Sequence, residues 1–231
     1  MRFYKYKSLE KIEYIIDMIE NNRLYMPRTL ELNDPLEGIC KMNFGFVGCS
    51  YYHGTGTIHP CYGNTLNTYR VLALASRKDS VVMWAHYADE FKGICVEFEN
   101  NAASLQEAKP VIYTDERIDS KVFEGSFDEL AYNALQRKAL EWSYEEEYRI
   151  IKKIDETDEY INLLPNEIKC IYIGYMVPKT IKMFLADWCR YHNIETRIMF
   201  VNPYRYALED VSLKDYLEKC NEYDGTMYKC G

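Results

Sequence analysis

The 231-residue chain predicts an α+β fold, a single domain with a mixed or mainly antiparallel sheet flanked by helices. Several strand-like runs follow one another without an intervening helix, among them "GICVEFE" and "PVIYTDE". Other segments carry apolar residues at helical spacing, and neither an internal repeat nor a Pro/Gly/Ser-rich linker divides the chain. Hydrophobic residues make up 48% and charged residues 28%, a balance that can bury a core and argues against long disorder.

In order, "MRFYKY" alternates and reads as a strand. "SLEKIEYIIDMIENN" then reads as a helix capped by Ser8, with Ile12, Ile15, Ile16 and Ile19 on its core face, and "RLYMP" as a second strand. "LNDPLEG" has turn chemistry at Asn33, Asp34 and Pro35, with backbone freedom at Gly38. Residues 43–67, rich in Gly, Tyr, Asn and Thr, read as the longest irregular region. "YRVLALAS" is a compact apolar strand ending at Ser76, and "SVVMWAHYADEFKG" a helix with Met83, Trp84, Tyr87 and Phe91 on one broad face. The stretch 128–142 has the clearest amphipathic spacing and predicts a helix running into "EWSYEEEYRIIKK". Beyond Lys153 come an acidic turn, the strand "IKCIYIGYMVP", the helix "KTIKMFLADWCRYHN" and a final strand "ETRIMFVN". The tail, about 207–231, carries a short helix in "SLKDYLEKC".

Charge and cysteine usage bound the function. A formal net charge of −8 gives no global attraction to nucleic acid. No stretch is long and apolar enough to cross a bilayer, the start lacks a signal-peptide core, and eight cysteines are scattered without a CxxC pair. The reading is a cytoplasmic protein with reduced thiols, no membrane and no metal. His53, His59 and Cys61 lie close in sequence but lack standard metal-ligand spacing. GxSxG, P-loop and GxGxxG motifs are absent, so hydrolase-triad and classical phosphate-binding chemistry are poor matches.

The candidate site centres on "EWSYEEEYRIIKK". Strand alternation puts Glu145, Glu147 and Arg149 on one face and Tyr144, Glu146, Tyr148 and Ile150 on the other, so Glu146 should be dispensable. Such a face is either a solvated edge with ordinary salt bridges or the acidic wall of a cleft, with Arg149 offsetting carboxylate repulsion. Trp84, His86 and Tyr87 are further candidates, with His86 and Asp89 spaced to pair along a helix, and Asn33, Asp34 and Glu37 sit on a turn that can present an acid.

"FYKY", "LNDPLEG", "LALASRKDSVVMWAHYADEFKGICVEF" and "KALEWSYEEEYRII", in this order over about residues 3–175, resemble a bacterial family known as domain of unknown function 2971. The family is named for its lack of an assigned function, and the resemblance implies a cytosolic, often accessory or antiphage-defence-associated protein. More distantly the chain is similar to the ADP-ribosyltransferase fold. That likeness implies NAD as substrate, with Glu147 holding the nicotinamide-ribose hydroxyl and Glu145 orienting an unspecified macromolecular acceptor. It also implies that Tyr4, Lys5, Tyr6 and Ser76 line the site with Trp84, His86, Tyr87 and Arg149. The first strand, however, lacks the fold's His or Arg, and "ASR" replaces Ser-Thr-Ser. Two alternatives stand beside an NAD-consuming transferase or glycohydrolase. One is a non-catalytic nucleotide- or protein-binding module, which predicts a closed network around Glu147. The other is a nuclease using Asp34, Glu37 and Glu147 around Mg²⁺.

Overall fold

The structure is a computed structural model that describes residues 1–41, 50–51, 57–58, 60–120, 122–153 and 159–222. The elements run β1 (Tyr4–Lys7), α1 (Ile12–Glu20), β2 (Arg23–Tyr25), β3 (Ser50–Tyr51), β4 (Thr57–Ile58), α2 (Pro60–Leu66), β5 (Tyr69–Ala75), α3 (Val81–Tyr87) and β6 (Ile94–Phe98). Then follow β7 (Lys109–Pro110), β8 (Ile112–Tyr113), α4 (Phe127–Leu135), β9 (Arg137–Lys138), β10 (Glu147–Lys153), β11 (Tyr160–Asn162), β12 (Ile168–Ile173), α5 (Lys179–Tyr191), β13 (Glu195–Val201), β14 (Leu208–Ser212) and α6 (Leu213–Glu222). The class is α+β with a mainly antiparallel principal sheet, as the consecutive strand patterns predict. Contacts cluster into two compact units interleaved along the chain. The first comprises Met1–Arg23, Leu74–Gln106 and Asn162–Gly231, and the second Leu24–Ala73 and Glu107–Ile161.

In the first unit the strand order is β14-β13-β12-β6-β1. Only β12 and β13 pair in parallel, because the thirteen-residue α5 carries the chain back between them. The registers Tyr4↔Glu97, Tyr6↔Cys95, Cys170↔Glu97, Tyr172↔Cys95, Tyr172↔Arg197 and Met199↔Asp210 place tyrosines, thiols and charges on one sheet face. Ile94, Val96, Ile171 and Ile198 point the other way and are fully buried or nearly so. Trp84 of α3 meets the polar face, its ring edge-on to Tyr6 at 5.5 Å.

Helix α1 buries Ile15, Met18 and Ile19. Ile16, expected on the same face, is 43% exposed, since it lies about 100° round the helix from that stripe's centre. Ser8 caps a 3₁₀ turn over Leu9–Lys11 that precedes α1. Helix α3 stops at Tyr87, and Asp89, Glu90 and Phe91 follow with φ of 46°, 50° and 70°. His86 and Asp89 are therefore not neighbours along one helix face. Phe91 reaches back to stack on Trp84, its ring centroid 6.4 Å away. Strand "ETRIMFVN" is not the last, because β14 returns antiparallel to it before α6.

In the second unit β5, β10 and β7 lie side by side. Helices α2 and α4 close a core of Tyr62, Leu66, Tyr69, Val71, Leu130 and Leu135. The 43–67 stretch thus contains two short strands and a helix, while His53 and His59 lie outside the described residues and Cys61 is exposed. Gly38 has a φ of 69° and its carbonyl accepts from the buried Tyr62 hydroxyl at 2.7 Å, so the expected backbone freedom is used. Helix α4 is capped by a reciprocal Ser126–Glu129 box but ends at Leu135 rather than at residue 142. Arg137 and Lys138 instead bridge to β8, and a 3₁₀ turn spans Leu140–Glu145. Tertiary contacts of Lys138 and Gln136 override helix propensity there, Gln136 Nε2 donating to the Pro110 carbonyl at 2.8 Å.

Candidate functional site

Glu145, Glu147 and Arg149 do come together, but not as one strand face. Glu145 closes the 3₁₀ turn, Glu146 takes a left-handed conformation with a φ of 45°, and only then does β10 begin at Glu147. The left-handed residue turns Glu146 out to solvent and returns Glu145 and Glu147 to the same buried volume. Glu37, on the "LNDPLEG" turn, and Lys138, on β9, complete the cluster.

The contacts are dense. Arg149 Nε donates to Glu147 Oε1 at 2.7 Å and Arg149 Nη2 to Glu147 Oε2 at 2.9 Å, a bidentate pair. Arg149 Nη1 donates to the Leu135 carbonyl at 2.5 Å. Lys138 Nζ donates to Glu145 Oε2 at 2.7 Å and Glu147 Oε2 at 3.3 Å, and it lies 4.7 Å from the centroid of the Trp142 ring. Glu37 stands 3.2 Å from Lys138 and 2.9 Å from Arg149, through ionic contacts rather than well-directed hydrogen bonds. The side chains of all five are only 1–6% exposed. A solvated edge, one of the sequence expectations, is therefore not what this stretch forms.

Burial works against charge in every member, and the partners decide the outcome. Burial depresses the Lys138 ammonium, but Glu147, Glu37 and Glu145 more than reverse it and hold it above the usual lysine range. For Arg149 burial is likewise overcome by Glu147 and Glu37. Burial pushes Glu147 up, yet Arg149 and Lys138 bring it below the ordinary carboxylate range. Burial dominates at Glu37, which is raised, with repulsion from Glu147 adding to the effect. Three carboxylates against two cations leave one excess negative charge, and retaining one proton, favoured at Glu37, neutralises the set.

Asp34 supports the turn: its Oδ1 accepts from the Leu36 amide at 2.8 Å and its carbonyl from the Glu37 amide at 3.2 Å. Asn33 precedes it, exposed. Among the described residues no group of three or more His, Cys, Asp or Glu side chains is arranged to hold a metal. In the cluster itself, Lys138 and Arg149 already occupy the charge-compensating places.

The remaining candidates belong to the first unit. Tyr4 and Tyr6 lie on the polar sheet face, the Tyr6 hydroxyl donating to the Arg77 carbonyl at 2.9 Å, while Lys5 points to the opposite face. Ser76 follows the last residue of β5, and Trp84 Nε1 donates to the Lys78 carbonyl at 2.7 Å. His86 is exposed, its ring edge-on to Tyr87 at 6.3 Å.

On the same face a cleft of about 620 Å³ opens, lined by Arg2, Lys78, Glu97, Tyr172, Arg197 and Asp210 among others, and by none of the five clustered residues of the second unit. Sequence reading missed these six and Lys138. Lys138 was hidden by helical spacing that made it one more surface residue of α4. The isolated charge of Glu97 inside "GICVEFE" was the clearest available signal for the cleft.

Residues 83–150 match the model of a family described as Protein of unknown function (DUF2971). That is the family the motifs resemble, over a shorter span than about 3–175, and it contains four of the five clustered residues but not Glu37. No curated protein and no solved structure gives a significant match, so the more distant ADP-ribosyltransferase likeness has no such match behind it. No helix among the described residues is long and apolar enough to cross a membrane.

Proposed function

We propose that this DUF2971-family chain is a non-catalytic binding module in which the Glu147 cluster is a structural lock. The observation that carries the reading is that both Glu147 oxygens are committed to Arg149 and Lys138 inside a buried set. To hold a ribose hydroxyl of NAD, Glu147 would have to release those contacts. The two buried cations would lose their main partner, at a cost of about 3–5 kcal/mol. An NAD-consuming enzyme places that carboxylate where the substrate reaches it, whereas a lock places it where only protein does.

Incubating the purified chain with NAD and assaying free nicotinamide tests the reading. No release above the spontaneous rate is expected, from either the parent chain or Glu147→Gln. Turnover in the parent that Glu147→Gln abolishes would overturn the proposal in favour of the transferase or glycohydrolase reading.

A further inference from the structure

The cleft of the first unit has an organisation that the closed cluster lacks. At one end Lys78 and Arg197 both pair with a single carboxylate, Asp210. Lys78 Nζ also sits 4.2 Å from the centroid of the Tyr172 ring, which orients it. At the other end Glu97 is buried on the sheet face, where it accepts from the Tyr172 hydroxyl and pairs with Arg2 at 3.1 Å. A carboxylate offers about four lone-pair sites, so these two partners leave Glu97 capacity for further donors. Arg2 itself is 61% exposed. The rim charges pair off, Lys169 with Glu99 at 2.6 Å and Arg197 with Glu195 at 3.2 Å, so the lining as a whole is close to neutral.

A site for a bare anion would carry excess positive charge, and a site for a cation excess negative charge. Two cations converging on Asp210, one of them also paired with the exposed Glu195, lie beside a buried acceptor and suit a ligand with an anionic group at one end and hydroxyl donors at the other. The volume of about 620 Å³ lies within the range of small-molecule sites.

We infer that this cleft binds a small phosphorylated sugar, of the sugar-phosphate or nucleoside-monophosphate class, with its phosphate on Lys78 and Arg197 and its hydroxyls donating to Glu97. The phosphate displaces Asp210 from one or both cations, and binding weakens with added salt because the cleft is open and its cations are partly exposed.

The inference rests on the reading of the chain as a binding module, and calorimetry on the full chain separates the two. Ribose 5-phosphate, adenosine 5′-monophosphate, inorganic phosphate and ribose are titrated in turn. At least one phosphorylated sugar is expected to bind about tenfold or more tightly than either phosphate or ribose alone. Arg197→Ala, at a side chain 33% exposed, should weaken that binding about tenfold with an unchanged melting temperature, and Glu97→Gln should remove the preference over phosphate. Should Glu97→Gln fail to fold, Arg197→Ala with Lys78→Ala carries the test. Equal binding of phosphate and sugar phosphate, absence of binding at millimolar ligand, or indifference to Arg197→Ala would overturn the inference. Those results leave the module reading standing, which falls only to Glu147-dependent release of nicotinamide.

Discussion

The two charged regions of this chain contain the same chemistry and treat it in opposite ways. In the second unit Glu37, Lys138, Glu145, Glu147 and Arg149 are sealed from water, and their ionic contacts are made to one another. In the first unit Arg2, Lys78, Arg197 and their acidic partners line an open cleft, most of them partly exposed. A buried set of charges is costly to disturb and so holds structure, while exposed pairs are cheap to exchange for a ligand. Acidic spacing in a sequence does not distinguish these cases; what covers the face does.

The comparison is broken most forcefully inside the lock. Lys138→Met leaves three carboxylates facing one guanidinium and is expected to cost about 3–5 kcal/mol of unfolding free energy, read by urea denaturation. Glu37→Gln should behave differently although its side chain is equally buried, because Glu37 is where the set retains its proton and a neutral amide replaces a neutral carboxyl. A loss under about 1.5 kcal/mol is expected, and a loss as large as that of Lys138→Met would refute the charge assignment.

The pH dependence sharpens the same point. Glu147 has a lowered folded pKa, so its stabilisation is present above the ordinary carboxylate range and is lost as pH falls through the folded value. Glu37 has a raised folded pKa, so the folded state keeps its proton longer and stability declines as pH rises from the ordinary range until Glu37 ionises. Melting temperature should therefore rise and then fall across the acid-to-neutral range, and Glu37→Gln should remove the falling limb. A falling limb that survives in Glu37→Gln would place the retained proton elsewhere.

The smallest effect is expected at the cleft rim. Lys169→Ala breaks the Lys169–Glu99 pair, both side chains of which are 40% or more exposed, and should cause no measurable loss of unfolding free energy. A measurable loss would mean that the cleft, too, is a structural network.

Much of the fold was legible in the sequence because its signals are local. β5, β6, β12, α5 and the Ile15/Ile19 stripe of α1 follow from apolar runs and periodicity. The failures have tertiary causes: α4 stops seven residues short of Trp142 because Gln136 and Lys138 find partners elsewhere, and β14 has too little alternation to announce itself. In the candidate site, the spacing of Glu145, Glu147 and Arg149 correctly grouped them, although a left-handed Glu146 rather than strand alternation brings Glu145 in. Their burial was not legible, since alternation defines a face without defining its cover. The cleft was less visible still: its residues come from six separated segments, four of them strands that meet through their register.

The most direct test of the lock is the unfolding free energy of Glu147→Gln, measured by urea denaturation at neutral pH beside the parent chain. A loss of about 3–5 kcal/mol, or outright failure to fold, is the result expected for a sealed ionic network. A variant as stable as the parent would contradict it and return Glu147 to the list of residues kept for chemistry.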